Sequence, residues 1–365
     1  MPKAIYHFIL DHRIGGPQIY VKNIQLALKD RKHFIVTPAK GEMTDIALLN
    51  LRKKHKFLFP FEVILNALKC TFLFLFNRNC IVFHIHGAAN IAPSIAAFLL
   101  RIPVLWHIHE TLIQHKILSR ITRFFVLNNK HLIATVAEKS KDVYNLDYAE
   151  IVPGAIDLSF WNDKEIKEQK RLKDNTLSPS LSIVTVGHLN PLKGIEHLLT
   201  ALYEIDLPIS VKIVGSELDT QKTYADSLKS IADDLIKNKH NIEVEFVGSQ
   251  PPVYIRTLFS NSDIFVLPSI SEACPLSLIE AMSMSLPVIA TDVGDVLKML
   301  PETQKKYVCP AGDPISLAES ILSFAKMPKV RRDEIGRINR EFVEAHFSIS
   351  RLGSQVRDLY SRLVV

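Results

Sequence analysis

Short apolar runs of four to eight residues alternate with amphipathic stretches along the whole chain, and few folds accept that alternation. The front half has such runs at 3–10 (KAIYHFIL), 33–37, 81–86, 103–108, 132–136 and 149–152. The back half has them at 181–187, 209–214, 242–247, 263–268, 287–290 and 306–309. Continuous apolar runs of this length suit strands buried on both faces, as in a parallel sheet. Strand and helix in strict alternation imply right-handed crossovers and doubly wound sheets. Two such sets predict an α/β chain of two Rossmann-like parallel-sheet domains facing across a cleft, and 365 residues are enough for two. Ligands of such sheets bind at the C-terminal strand ends, so chemistry is expected in the loops that follow the strands.

Residues 161–180 are mostly polar and lack hydrophobic periodicity, which predicts a linker between a front domain at 1–160 and a back domain at 181–344. Two helical patterns close the chain, from Arg331 and from Ser350. Charge divides the same way. Residues 1–150 carry 20 Lys+Arg against 10 Asp+Glu, and residues 151–365 carry 24 against 28. A basic front half suggests an anionic partner: nucleic acid, an anionic membrane or a phosphorylated substrate. Nucleic acid is disfavoured, because the front aromatics fall mostly in apolar runs rather than along a basic stripe. The four cysteines lie far apart without a Cys-x-x-Cys pair, which fits a reducing cytoplasm. The first strand starts too early for a signal peptide.

Residues 57–76 (FLFPFEVILNALKCTFLFLF) approach bilayer length, but Pro60, Glu62, Asn66 and Lys69 interrupt them. Two readings stand. The segment is a helix completing the front core, with Phe57, Leu58, Phe72, Leu73 and Phe76 buried. Alternatively it lies on an anionic membrane surface, led in by Arg52, Lys53, Lys54 and Lys56.

Four segments carry chemistry. The strongest is SISEACPLSLIEAMSMSLPVIATDVGD at 269–295. A helix from about Pro275 to Met284 starts at a sheet edge, so the N–H groups of Leu276 and Ser277 form an anion site. Glu280 is the one charge on that helix and needs hydrogen-bond donors, which a ribose diol supplies. Glu272, in the loop before it, can reach a second ring of hydroxyls; a solvated loop carboxylate is the bland alternative. In VTVGHLNPLKG (184–194), Gly187 allows close backbone approach and Lys193 can meet a diphosphate. In ILDHRIGGPQIY (9–20), Gly15 and Gly16 precede a helix, but G-x-G-x-x-G is absent, which counts against an NAD oxidoreductase. Finally, His84, His86, His107 and His109 pair by strand periodicity. They have metal-ligand character, although hydrogen-bonding roles are the commoner use. The chain has no Asp-x-Asp pair, so phosphate charge is expected to be met by Lys193 and a helix start, with no metal or other cofactor.

These residues resemble the retaining glycosyltransferases of family 4, which have the GT-B fold. The resemblance rests on Glu272 and Glu280 with FVLPS before them, EAM among them and PVIATDVG after them. It also rests on Gly15-Gly16, His109, VPGAID, GHLNPLKG, VCPAGDPISLAESI and the closing EFVEAHFSISRLGSQVRDLY. The resemblance implies a nucleotide-sugar donor, UDP- or GDP-linked, and a glycan or lipid-linked acceptor. Glu280 would hold the ribose, and Glu272 the sugar hydroxyls. The backbone of Ala273, Cys274, Leu276 and Ser277 would cradle sugar and phosphate. Lys193 would neutralise the diphosphate, with Gly16 abutting the phosphate and Gly187 and His188 lining the site. His109 would contact sugar or phosphate, and the loop from Gly248 the base. A C-terminal helix at about 345–365 would return to the front domain. The implied setting is surface-polysaccharide assembly in the bacterial cytoplasm, on the inner face of the membrane. The chain departs from the pattern at His188 (usually Arg), Ala273, Ser285 and Asp295 (usually Gly), Lys298 (commonly Glu), and Gly154-Ala155 (usually Asn-Gly). Rival readings are a nucleotide-sugar epimerase of the same fold and a non-catalytic glycosyltransferase subunit.

Overall fold

The computed structural model describes residues 4–12, 15–50, 58–75, 81–113, 115–162 and 180–364. Two all-parallel sheets organise two units, one of residues 1–155 with 349–365, the other of residues 156–348. The first sheet contains β1 (Ala4–Phe8), β2 (Lys32–Thr37), β3 (Ile46–Ala47), β4 (Ile81–His86), β5 (Val104–Ile108), β6 (His131–Thr135) and β7 (Glu150–Ile151), in the order β3-β2-β1-β4-β5-β6-β7. The second contains β8 (Leu181–Val186), β9 (Ile209–Val214), β10 (Ile242–Gly248), β11 (Ile264–Leu267), β12 (Val288–Thr291) and β13 (Val308–Cys309), in the order β10-β9-β8-β11-β12-β13. Both are doubly wound α/β sheets, with the strand order reversing between β1 and β4 and between β8 and β11. The apolar runs anticipate every strand except β3. That strand is two residues long, pairs only with Val36 and Thr37, and is too short to show a period.

The division falls earlier than the polar stretch suggests. Ile156 N–H donates to Phe347 O at 2.9 Å, and Ile156 and Trp161 are buried in the second unit's core. The apolar residues of 156–161 therefore make this stretch part of the second unit rather than a tail of the first. The expected linker at 161–180 lies mostly outside the described residues. The closing helices are Lys329–His346 and Ile349–Val364. The latter packs in the first unit, where a Cβ on Gly353 would lie 2.8 Å from the Ala27 Cβ.

The two faces of the first sheet differ in chemistry. Tyr6, Phe8, Phe83, Ile85, Val104, Trp106 and Ile108 share an apolar core with residues of helices Phe59–Leu75, Ile91–Leu100 and Lys116–Leu127. The alternate positions His7, His84, His86 and His107 are buried on the opposite face. Helices Gly16–Ala27 and Ile349–Val364 cover that face: the Tyr20 ring lies 4.9 Å from His107, and Tyr360 OH is 2.8 Å from His84 Nδ1.

Helix Phe59–Leu75 corrects the core-completing reading at Phe72, which is exposed, while Leu58 is half-buried and the Leu73 side chain lies outside the described ones. Its buried side carries Glu62, Asn66, Ala67 and Cys70. Asn66 closes a two-bond clasp on Leu49, accepting from its N–H at 2.8 Å and donating to its carbonyl at 2.9 Å. Phe61, Ile64, Leu65, Leu68 and Phe72 point outward, Phe61 being 62% exposed. Asn66 faces in because the clasp satisfies its amide there. Arg52 to Phe57 and Phe76 lie outside the described residues.

Burial holds His7, His84, His86 and His107 well below the usual imidazole range, with neighbouring imidazoles adding to the effect. Below about pH 6.5 the unfolded chain takes up protons that the fold refuses, so stability falls with pH. Each of the four groups adds to this loss, so the first unit is the part of the chain most sensitive to acid. Trp106 lies in the first unit and Trp161 in the second. In Trp161→Phe, the remaining fluorescence should report unfolding between about pH 6.5 and 5. In Trp106→Phe, it should report a second unit that persists to lower pH. Coincident transitions would contradict the assignment.

Candidate functional site

In the second unit the strand order reverses between β8 and β11, so the loops after these two strands, 187–194 and 268–275, flank the switch point where doubly wound sheets bind ligands. Backbone bonds lock the loops together: Ile270 N–H and Ser271 N–H both donate to Leu192 O, at 2.8 and 3.3 Å. Asn190 caps a short 3-10 turn at Pro191–Lys193 by accepting from Leu192 N–H at 3.0 Å. Gly194 follows in the left-handed region, where any Cβ would lie 2.1 Å from Pro268 O.

Across this junction Lys193 Nζ donates to Glu272 Oε1 at 2.7 Å, and Ser269 Oγ donates to the same oxygen at 2.8 Å. The Lys193 stem runs along Gly187, 3.1 Å from where a Cβ would stand there. Glu272 is thus an oriented carboxylate with a cation attached, and the bland reading of it as a solvated loop residue is set aside. Ser269 was not singled out by sequence; its position two residues after β11, in the loop that carries Glu272, was the available signal. His188 Nδ1 lies 2.6 Å from Ser216 Oγ.

The helix after the acidic loop is Leu276–Ser283, with Pro275 at its N-cap rather than its first turn. Leu276 and Ser277 supply its first N–H groups, while Ala273 and Cys274 form the approach. Asp295 N–H donates to Ala273 O at 3.3 Å, and Gly294, in the left-handed region, lets the Glu272 and Ala273 carbonyls approach. Ser285 takes the left-handed position after this helix with φ 55°. A glycine would occupy that position without a Cβ cost. Glu280 is half-buried and its carboxylate has no hydrogen-bond donor among the described residues. Burial pushes its pKa up to about 7. Gly248 ends β10 with φ 75°, and a Cβ there would meet no other atom within 4 Å.

The first unit holds the remaining predicted residues. Gly15 is the extended N-cap of helix Gly16–Ala27, and the space beside Gly16 is open within 4 Å. His109 follows β5. Its Nε2 lies 2.9 Å from His86 Nδ1, and burial lowers its pKa to about 3. Glu110 accepts from His109 N–H at 3.1 Å and from Ala88 N–H at 3.4 Å. The imidazole group is larger than the four expected. His7 and His33 join it from β1 and β2, and strand parity against His84 was the signal available for His7. Two triads, His7–His84–His86 and His86–His107–His109, bring ring nitrogens within 4.8 Å of one another.

The arrangement offers a cation, two carboxylates and a helix start at one sheet edge. That set suits a ligand with both anionic and hydroxyl groups. Residues 164–341 match the family model described as glycosyl transferases group 1. An uncharacterized glycosyltransferase of Methanocaldococcus jannaschii is 24% identical over all of this chain and 97% of its own length. The alpha-galactosylglucosyldiacylglycerol synthase of Streptococcus pneumoniae is 27% identical over 53% of this chain and 51% of its own. Among solved structures, Anabaena Alr3699/HepE in complex with UDP and glucose superposes with a TM-score of 0.82 at 15% identity, covering 99% of this chain and 100% of that one. The fold is that of GT-B glycosyltransferases, and the family match supports glycosyl transfer as the activity.

Glu280→Gln should separate stability from binding. A carboxyl whose folded pKa is raised costs the fold stability as pH rises through about 7. The apo variant should therefore be more stable than the parent at pH 8, by up to about 3 kcal/mol. It should bind nucleoside diphosphates about 10- to 100-fold more weakly. Thermal denaturation at pH 5 and pH 8, with and without UDP or GDP, measures both. Unchanged binding would remove Glu280 from the ligand site.

Proposed function

We propose that the chain is a retaining glycosyltransferase that moves a sugar from a UDP- or GDP-linked donor to a hydroxyl of a lipid-linked glycan, in bacterial surface-polysaccharide assembly. The observation that carries this reading is the Lys193–Glu272–Ser269 cluster beside the β8/β11 switch point, with the unpartnered Glu280 on the following helix. Lys193 and the N–H groups of Leu276 and Ser277 receive the diphosphate, Glu280 the ribose diol and Glu272 the hydroxyls of the transferred sugar. The bond from the anomeric carbon to the diphosphate oxygen breaks, and the diphosphate leaves with the electron pair. The acceptor oxygen bonds to the same face of that carbon, and its proton passes to the leaving phosphate. Charge grows on the phosphate in the transition state, where a preorganised cation and helix start act most strongly. Glu272, tied to Lys193 and Ser269, orients the sugar rather than attacking it. The reading assigns phosphate charge to Lys193 and needs no metal. The UDP in the Anabaena structure supports a nucleotide donor.

Lys193→Ala should weaken nucleoside diphosphate binding by about 10-fold or more while leaving free nucleoside binding nearly unchanged. Calorimetry with UDP, GDP and the nucleosides tests it, and equal losses would take Lys193 out of the phosphate site. Incubation with a panel of nucleotide sugars and glycan acceptors separates the alternatives. Transfer with retained configuration supports this reading, epimer formation supports an epimerase, and no turnover supports a non-catalytic subunit.

The lipid-linked acceptor is favoured by the outward apolar faces of the first unit. Helices Phe59–Leu75, Ile91–Leu100 and Lys116–Leu127 pack in succession. They expose Phe61, Ile64, Leu68, Phe72, Leu99, Ile117 and Phe124, with Ile117 72% and Leu99 67% exposed. Lys116 and Arg120 are exposed beside Ile117 and Ile121, and residues 111–137 contain no Asp or Glu. Apolar side chains among unopposed cations suit the surface of an anionic bilayer. No helix among the described residues is long and apolar enough to cross a membrane. The docking proposed is peripheral, on the cytoplasmic face. The name of the Streptococcus relative is consistent with a lipid acceptor. The chain should sediment with anionic but not neutral vesicles. Salt, Phe61→Ser with Phe72→Ser, or Lys53, Lys54 and Lys56→Glu should each weaken binding. Absence of binding to anionic vesicles at low salt would overturn the docking.

A further inference from the structure

Four imidazoles form a head-to-tail chain across the first sheet. His109 Nε2 lies 2.9 Å from His86 Nδ1, His86 Nε2 3.1 Å from His7 Nδ1, and His7 Nε2 2.9 Å from His33 Nδ1. His33 Nε2 lies 3.1 Å from the carbonyl oxygen of Leu28. Every link joins Nε2 of one ring to Nδ1 of the next, and only the last partner has a fixed role.

A carbonyl oxygen can only accept, so His33 Nε2 carries a proton. A neutral imidazole has one N–H and one lone pair, so His33 Nδ1 accepts and His7 Nε2 must donate. The same step repeats along the chain. His7 Nδ1 accepts from His86 Nε2–H, and His86 Nδ1 accepts from His109 Nε2–H. His109 is then left with a bare lone pair on Nδ1, which bonds to no described residue. Reversing one link alone would set two lone pairs or two N–H groups against each other in a buried site. Reversing all of them would turn a lone pair on His33 toward the Leu28 carbonyl.

We infer that the Leu28 carbonyl, acting through His33, His7 and His86, fixes the tautomer of His109, making it an acceptor on Nδ1 toward its ligand. The inference rests on reading His109 as a ligand-binding residue of the first unit. It decides what His109 binds there: a hydroxyl hydrogen, which a sugar supplies and an ionised phosphate does not. His33, His7 and His86 are positioning residues, since none is needed to touch the ligand. The chain also competes with the metal reading of this cluster. His86 is shared by both candidate triads, and both of its nitrogens are engaged in the chain.

Imidazole 15N spectra of the full chain labelled on histidine, at pH 7.5, test the lock without an activity assay. His109→Gln identifies the resonances. In the parent, His109 Nδ1 should appear as an unprotonated nitrogen and Nε2 as a protonated one. A proton on Nδ1 would overturn the inference. His33→Leu removes the anchor and should shift His109 to a mixture of tautomers. His33→Asn keeps an acceptor oxygen near the Nδ1 position and should retain the parental pattern. Turnover of the donor should fall by about 10-fold or more in His33→Leu and be largely restored in His33→Asn. An unchanged His109 spectrum in His33→Leu would also overturn the lock. If the variants do not fold, the parental spectrum still decides the tautomer. A locked spectrum with no turnover of any nucleotide sugar leaves the lock standing and removes glycosyl transfer. Turnover with a proton on Nδ1 does the reverse.

Discussion

A parallel sheet must be covered on both faces, and in the first unit that requirement reaches across the whole sequence. The cover for one face comes from three local helices. The cover for the other comes from Gly16–Ala27 and from Ile349–Val364, which arrives from the far end of the chain. Tyr360 brings a hydroxyl to His84, and Gly353 lets the helix approach Ala27. Without this return, the part of the imidazole face around His84 would lose its cover. Covered, the imidazoles are forced neutral, and neutral imidazoles must divide their nitrogens into donors and acceptors. The order within the cluster follows from the burial.

The second unit uses the same topology for a different end. Its switch point is apolar below and polar at the rim. Leu278, Ile279, Ala281 and Met282 are buried in its core, while Lys193, Ser269 and Glu272 meet above the strands. The Lys193–Glu272 bond neutralises two groups that would repel or attract a charged ligand separately. Glu280 has no such neighbour, and burial raises its pKa. Groups left unsatisfied in the free protein are the ones a ligand satisfies, so the part of the fold that is electrostatically worst is the part that best fits a function.

Helix Phe59–Leu75 reverses the usual rule that apolar residues turn inward. Asn66 is drawn in because Leu49 offers an unpaired N–H and carbonyl at the sheet edge beyond β3. With the helix clasped there, Phe61, Ile64, Leu65, Leu68 and Phe72 face away from the core. Surface of this kind is retained where something other than water covers it.

The sequence by itself determined the α/β class, the two units and all but one strand, and it singled out Lys193, Glu272 and Glu280 as candidates for the site. Each is written locally: in four to eight apolar residues, in a loop after a strand, or in one charge on an apolar helix. It did not decide where the division falls, because the contact of Ile156 with Phe347 joins residues 191 positions apart. Nor did it decide that Lys193 binds Glu272, which takes two loops brought together by strand order. The membership of His33 in the imidazole chain was equally hidden, since strand pairing sets His7 opposite Ile35 rather than His33. Composition and period speak for neighbours along the chain. Pairing, burial and the direction of a hydrogen bond depend on neighbours in space, and only the tertiary structure supplies those.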